Sequence, residues 1–166
     1  MSNISINQVK DTITHKKIVL DAGFKIAEYF FENNQTELGI KILQRVAVHD
    51  NSKFSKKELE NLSEIYKSDE CFKNAKYTLS EKERNNIELH WKHNTHHPEH
   101  FEDIEDMSKV DIVEMVCDWY ARSVQYETDL LEFINTRQTT RFNFPEHIWE
   151  EILYYANILL KEVVNE

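Results

Sequence analysis

The chain is poor in the residues that make tight turns. Its 166 residues include only two glycines and two prolines. A β-rich fold of this length needs many turns, and Gly and Pro usually supply them. Apolar residues make up 40% of the chain and charged residues 30%, a globular composition. We therefore expect one all-α domain over residues 1–166, with long helices joined by short polar loops.

The chain also has a shortage of positive charge. It carries 20 Lys and Arg against 30 Asp and Glu, a net charge of −10. Such a surface repels phosphate backbones, which argues against general nucleic-acid binding. A local cationic pocket for one small phosphorylated ligand remains compatible with this charge.

Cysteines and long apolar runs are scarce as well. Cys71 and Cys117 stand far apart without CxxC spacing, which favours free thiols in a reducing compartment. The N-terminal segment MSNISINQVKDTITHKK has no apolar run typical of a secretory signal. No stretch reaches the roughly 18 apolar residues that a membrane span needs. These absences predict a cytoplasmic protein without a membrane partner.

What the sequence does contain is helical periodicity. Apolar residues recur at helical spacing from about Ile6 to Phe31, and Thr36 is placed to cap a second helix that ends at His49-Asp50. Pro145 suits the first turn of the last helix. The capping-box pattern of Ser followed by an acid three residues later occurs three times, at Ser55–Glu58, Ser80–Glu83 and Ser108–Asp111. We expect a compact bundle of six to seven helices and no strand.

Histidine is unusually concentrated. Five of the eight histidines fall within eleven positions: His90, His93, His96, His97 and His100. One interpretation is a polar surface loop, HNTHHPEH, whose histidines share no role. The other is a set of metal or phosphate ligands, because further candidate ligands occur elsewhere in the chain.

The doublet His49-Asp50 is the first of these candidates. Neighbours on a helix point about 100° apart, so both reach one ion only at a helix end or an inward edge. Imidazole and carboxylate together suit a divalent transition metal. The alternative is a His favoured by the helix dipole and a solvated Asp. His15 favours the metal, because it lies on the apolar face of the first helix and an antiparallel second helix would end beside it.

The segment DIVEMVCDWYARS places polar residues on one face of an otherwise apolar helix. Asp111, Met115, Asp118 and Arg122 share that face. Buried carboxylates need a cation or several hydrogen bonds. Arg122 could satisfy Asp118 at i+4, and a metal ion is the competing partner.

The order His15, His49-Asp50, Asp118 resembles the HD superfamily of metal-dependent phosphohydrolases. The context CDWYA around Asp118 is similar to that of the distal Asp in HD nucleotidases, and His49-Asp50-Asn51-Ser52-Lys53 resembles the HDxxK form. Together with HWKHNTHHPEH, the pattern also resembles a small family of bacterial and phage proteins without an assigned activity. The resemblance implies an HD-like helical fold.

The resemblance further implies a divalent ion (Mn, Co, Zn, Mg or Fe) held by His15, His49, Asp50 and Asp118. A second ion would use His90 and either His96 or His97. Asp50 would orient the attacking water, and Lys53 would approach the substrate phosphate. The remaining expected substrate contacts are His93, Asn94, His96 and Arg122.

The implied activity is hydrolysis of a nucleotide or another small phosphomonoester. Two alternatives stay open: a di-iron oxygenase, which some HD-fold proteins are, and a non-catalytic module that binds metal or nucleotide. Trp149, Tyr154 and Tyr155 fit either the core or a partner face, so a homodimer also stays open.

Overall fold

The computed structural model describes residues 5–65 and 81–161. Within these ranges the chain forms seven α-helices and no strand, which confirms the predicted all-α bundle. The helices are α1 (Ile6–Glu32), α2 (Thr36–Val48), α3 (Lys56–Ile65), α4 (Glu81–His93), α5 (Lys109–Tyr126), α6 (Leu130–Arg137) and α7 (Glu146–Lys161). Short 3-10 turns occupy Asn51–Phe54, Pro98–His100 and Ile104–Asp106, and a π-helical turn spans Gln138–Phe142.

Helices α1 and α2 form an antiparallel pair, and α5 packs against both. Their apolar faces meet in one core that also includes residues of α6 and α7. Helix α5 is buried around most of its circumference, as its sequence predicts, with Val113, Met115 and Val116 fully enclosed. A helix at the centre of a bundle can hold polar side chains away from water, and α5 carries Asp118.

The chain's only two glycines, Gly23 on α1 and Gly39 on α2, lie at the contact between these two helices. A Cβ added at Gly23 would lie 2.6 Å from both Cγ atoms of Val46. A Cβ added at Gly39 would lie 2.5 Å from the ring of Phe31. The close approach of the two helices therefore depends on residues without side chains.

The capping predictions have mixed outcomes. Ser108 caps α5 as predicted, because its hydroxyl accepts the Asp111 N–H and the Asp111 carboxylate accepts the Ser108 N–H. The prediction for Thr36 is wrong, since α2 begins at Thr36 and the Gln35 carbonyl accepts its first hydrogen bonds. The Ser80–Glu83 pattern lies outside the described residues and side chains.

The remaining sequence predictions concern the surface and the thiols. None of the described helices combines the length and the apolar character that crossing a membrane requires. Cys117 is a free thiol buried in the core, and Cys71 lies outside the described residues. Tyr155 is buried, Trp149 is half-buried and Tyr154 is exposed, so these aromatics are divided between core and surface.

Candidate metal centre

The junction after α2 explains how adjacent side chains reach the same point. Helix α2 ends at Val48, and His49 leaves it with φ −44° and ψ 133°. Asp50 then adopts the left-handed conformation, φ 55° and ψ 17°, which Asp tolerates better than most residues. Both side chains turn inward and are buried, and His49 Nε2 lies 3.4 Å from Asp50 Oδ2. The end of α2, which the sequence predicts, therefore allows the side chains of His49 and Asp50 to face the same point.

Three side chains from three helices or helix ends form the first group of candidate ligands. Asp118 Oδ1 lies 2.7 Å from His15 Nε2 and 3.9 Å from His49 Nε2. The two imidazole Nε2 atoms are 3.4 Å apart. These ligand atoms lie within 4.8 Å of one another, close enough to share one ion.

A second group combines Asp50 with the histidine-rich segment. His90 comes from the last turn of α4, and His96 and His97 come from the turn that follows. Asp50 Oδ1 lies 3.2 Å from His90 Nε2 and 3.7 Å from His96 Nε2. With His97 these ligand atoms also fit within 4.8 Å of one another.

Asp50 connects the two groups. Its Oδ2 is the oxygen nearest His49, while its Oδ1 is the oxygen nearest His90 and His96. A carboxylate with one oxygen toward each group is the geometry of a bridging ligand. The sequence leaves the second site open, and the structure shows a second buried set of ligand atoms beside the first.

Several inward atoms have no hydrogen-bond partner in the described part of the chain. They are both carboxylate oxygens of Asp50 and the Nε2 atoms of His90, His96 and His97. An unsatisfied buried polar atom costs about 1–3 kcal/mol, and native structures contain few of them. Five such atoms lie on four neighbouring residues, and one shared cation would satisfy them together. Their chemistry, imidazole nitrogen and carboxylate oxygen, suits a divalent transition metal.

The opposite ring nitrogens of four histidines are held by acceptors. Three Nδ1 atoms donate at 2.9 Å: His49 to Glu114, His90 to Glu58 and His15 to Gln125. The Nδ1 of His96 lies 3.3 Å from the same Glu114 oxygen. An acceptor at Nδ1 fixes the tautomer and leaves the Nε2 lone pair free to bind an ion. In all four imidazoles, Nδ1 is therefore held by an acceptor and Nε2 is the nitrogen available to an ion.

The electrostatics of the group also favour a bound cation. Burial alone would raise the pKa of Asp50, but the charges on His49 and Lys53 hold it well below its usual value. Burial would likewise raise the pKa of Asp118, but its contact with His15 and the nearby charges of His49 and His96 keep that pKa well below normal. Glu114 reaches a pKa of about 2 through its contacts with His49 and His96, against the effect of burial. All three carboxylates are thus ionised.

The histidines respond to this environment in different ways. Burial and the charge of Arg122 lower the pKa of His15 to about 4. Burial also holds the pKa of His97 well below its normal value. Burial acts in the same direction on His49, but the carboxylate charges, Asp50 first, outweigh it and raise its pKa to about 9. His15 and His97 are neutral, the form that binds metals. The carboxylates around His49 instead favour a positive charge at that position.

Cations lie on two sides of the centre. Lys53 is nearly buried, and its Nζ lies 2.5 Å from Asp50 Oδ2. Arg45 lies 3.2 Å from Glu114 and 2.7 Å from Asp111, so it neutralises the carboxylate that orients His49. Lys53 is the predicted phosphate-binding residue, and its position beside Asp50 places it at the edge of the candidate ligand group.

The other predicted substrate contacts lie further out. His93 is exposed and lies 3.2 Å from Glu58. Asn94 donates to Ser52 Oγ at 2.8 Å and to the His90 carbonyl at 2.7 Å. Arg122 lies 3.6 Å from Asp11 and donates to Gln125, the residue that orients His15. The structure thus brings Asn94 and Arg122 into supporting positions, and it places His96 among the candidate ligands.

Comparison with known proteins identifies a family. Residues 5–164 match DUF5662, a family of unknown function. The chain belongs to this family. No curated protein and no solved structure gives a significant match. Family membership therefore assigns no reaction to the chain.

Sequence reasoning missed three residues that orient the histidines: Glu58, Glu114 and Gln125. Glu58 fits a capping box, and its N–H does bond to Ser55 Oγ, but its side chain accepts from His90. Glu114 precedes Asp118 by one helical turn on the buried helix, and that spacing is a signal that could have found it. Nothing in the sequence indicates Gln125.

Proposed function

We propose that this protein is a metal-dependent phosphohydrolase acting on a nucleotide or another small phosphomonoester. The observation that carries the proposal is the convergence of buried ligand atoms from two groups around the Asp50 carboxylate, whose charged neighbour is Lys53. The order of these ligands along the chain and the HDxxK-like Lys53 support it through the resemblance to HD phosphohydrolases. The overall reaction adds water to a phosphomonoester and releases an alcohol and inorganic phosphate.

Two ions fit the donor set. His15, His49 and Asp118 would hold one, and His90, His96 and His97 would hold the other, with Asp50 between them. When bound, a divalent ion lowers the pKa of a water and polarises a phosphoryl oxygen. The protein would present seven candidate ligand side chains in a largely buried site, four of them imidazoles held at Nδ1 by acceptors.

Side chains of the protein would position the water, neutralise charge on the phosphate and hold the imidazoles in place. Asp50 accepts a hydrogen bond from the attacking water and so aims its oxygen at phosphorus. Lys53 stands 2.5 Å from that carboxylate and neutralises charge that develops on the phosphoryl oxygens. Glu58, Glu114 and Gln125 keep the imidazoles in place throughout, since each holds a ring nitrogen that faces away from the site.

The test begins with protein stripped of metal by a chelator. Each of Mn²⁺, Co²⁺, Zn²⁺, Mg²⁺ and Fe²⁺ is added back, and phosphate release is measured with nucleoside monophosphates and p-nitrophenyl phosphate. Elemental analysis of the same samples counts the ions per chain. We expect phosphate release with at least one metal and two ions per chain; absence of release with every metal would overturn the proposed function.

Variants connect the activity to the proposed ligands. Asp118→Asn removes a ligand from the first group, and His90→Ala removes one from the second. Each should lower the metal count from two to one and abolish turnover. His147→Ala changes an exposed histidine of α7 and serves as the matched control. Full activity in both ligand variants would contradict the assignment.

The same experiments separate the alternatives. A di-iron oxygenase would retain two irons after aerobic purification and release no phosphate with any metal. A purely structural site would make Asp118→Asn unfold the chain, because structural ions hold folds together. A hydrolase variant would instead remain folded by circular dichroism and lose turnover.

A further inference from the structure

Beyond the candidate ligands, the most informative feature is a pair of arginines at the end of α6. Arg137 is the last residue of α6, and Arg141 lies four residues later in the π-helical turn. Arg141 pairs with Glu99, while the Arg137 guanidinium lies 4.8 Å above the Phe133 ring. Among the described residues, no carboxylate is within ion-pair distance of Arg137. Glu99 therefore balances the charge of Arg141, and the charge of Arg137 has no ion-pair partner among the described residues.

The arginine pair contacts residues that neighbour candidate ligands in the sequence. Glu99, the partner of Arg141, follows His97 by two residues, and the Arg141 guanidinium also lies 5.3 Å from the Trp91 ring, next to His90. On the other side, Phe133 and Phe142 both pack on Trp119, the neighbour of Asp118. The arginines therefore lie near both the histidine segment and the helix that carries Asp118, and the Asp118 charge acts on Arg137.

The turn that carries Arg141 is held in a defined shape. The Gln138 side chain accepts the Phe144 N–H at 2.7 Å and donates to the Phe144 carbonyl at 3.0 Å. Asn143 adopts a left-handed conformation with φ 50°, and its N–H bonds to the Gln138 carbonyl. π-Helical turns are rare and often occur at functional sites. The Arg141 backbone is thus preorganised, as a ligand-binding residue requires.

Holding two guanidinium groups together is unfavourable without an anion. Burial, and then the neighbouring charge of Arg141, lower the pKa of Arg137 to about 10. The carboxylates of Glu99 and Asp118 only partly offset this effect. Arg is also the residue that best matches phosphate geometry, because its planar N–H groups can donate two parallel hydrogen bonds.

We propose that Arg137 and Arg141 form an anion subsite that binds a second phosphate group of the substrate. This inference rests on the proposed function, which it deepens by naming the substrate class as a small bisphosphate. One phosphate would react at the metal centre while the arginine subsite holds the other. A nucleoside 3′,5′-bisphosphate and a hexose bisphosphate share that chemistry.

The first experiment measures the subsite without metal or turnover. Calorimetric titration of inorganic pyrophosphate into metal-free protein should show binding that Arg137→Gln weakens by about tenfold or more, the loss expected for a charge-assisted hydrogen bond. Arg137→Lys should retain part of the affinity. Lys92→Gln, which removes an exposed cation of α4 paired with Glu88, is the matched control and should bind as the wild type does. Equal affinity in the wild type and a folded Arg137→Gln variant would overturn the subsite.

The second experiment uses the metal-loaded protein. For each bisphosphate and its monophosphate counterpart, KM and kcat are compared between the wild type and Arg137→Gln. We expect the variant to raise KM for a bisphosphate about tenfold and to leave KM for the monophosphate unchanged. The two bisphosphates show whether a nucleoside or a sugar carries the second phosphate. An equal change for mono- and bisphosphates would contradict the subsite.

The outcomes distinguish the two proposals. Pyrophosphate binding that depends on Arg137, without phosphate release under any metal, would support the anion subsite and overturn the hydrolase. Phosphate release without any dependence on Arg137 would support the hydrolase and overturn the subsite.

Discussion

Glu114 accepts the Nδ1–H of His49 at 2.9 Å from a position on α5 one turn before Asp118. Helix α5 thus contributes twice to the centre: Asp118 faces the candidate ion, and Glu114 orients an imidazole that would bind it. The same Glu114 oxygen lies 3.3 Å from His96 Nδ1, so one carboxylate serves both groups of ligands. Arg45 keeps this buried charge compensated from the other side.

The first prediction follows from this contact. Glu114→Gln should weaken metal binding by about 10–100-fold, because the neutral amide is a weaker acceptor for the ligand histidines than the carboxylate and can turn an N–H toward Arg45. The side-chain volume is retained, and Arg45 keeps its pairing with Asp111, so the fold should persist. Competition with a fluorescent chelator measures the affinity. Glu105→Gln, on an exposed turn, is the control, and an unchanged affinity in Glu114→Gln would contradict the role assigned to Glu114.

Metal removal should lower thermal stability. An ion that binds only the folded chain stabilises it by about 2.7 kcal/mol when present at 100 times its Kd. For a chain of this length, that corresponds to a Tm increase of about 5–10 °C. Differential scanning fluorimetry with and without a chelator measures the shift. Asp118→Asn should show a smaller increase in Tm. If no metal changes the Tm of the wild type, the candidate metal centre is contradicted.

A third prediction concerns the contact between α1 and α2. Gly23→Ala should destabilise the protein by about 1–2 kcal/mol, since overpacking at Val46 exceeds the gain in helix propensity. Gly39→Ala should cost less, because the Phe31 ring is 40% exposed and can move, while the Ala27 carbonyl oxygen lies further from the added Cβ, at 3.1 Å. Urea denaturation followed by circular dichroism gives both values. A more stable Gly23→Ala variant would show that the helices have room to separate.

The last prediction concerns Cys117. Its thiol is fully buried, and burial followed by the charges of Glu114 and Asp118 raises its pKa far above the usual value. Since the thiolate is the reactive form, the native thiol should resist alkylation. In a Cys71→Ser variant, iodoacetamide should label Cys117 slowly under native conditions and rapidly in urea, as mass spectrometry can show. Rapid native labelling would indicate that the core around α5 opens readily.

The helices and the first group of candidate ligands could be predicted from the sequence. The periodicity from Ile6 to Phe31 gives α1 within one residue of its observed end at Glu32, because an amphipathic helix must turn one face to the core. The same register identifies His15 as inward-facing. His49-Asp50 falls at a helix end because the apolar pattern stops there. These features are local, and local spacing is sufficient to predict them.

The tertiary structure alone decided how the ligands are supported and where the two groups meet. Glu58 has the spacing of a capping residue, yet its carboxylate accepts from His90, a contact across 32 positions of the chain. His93 is the last residue of α4 and is exposed, whereas His96 follows the end of the helix and is buried. The position of that helix end therefore decides which of the two faces the centre. The position of Asp50 between the two groups depends on its left-handed backbone and on the packing of α1, α4 and α5 around it. Local periodicity determines which face of a helix is buried, but only the packing of distant segments determines which buried polar atoms meet.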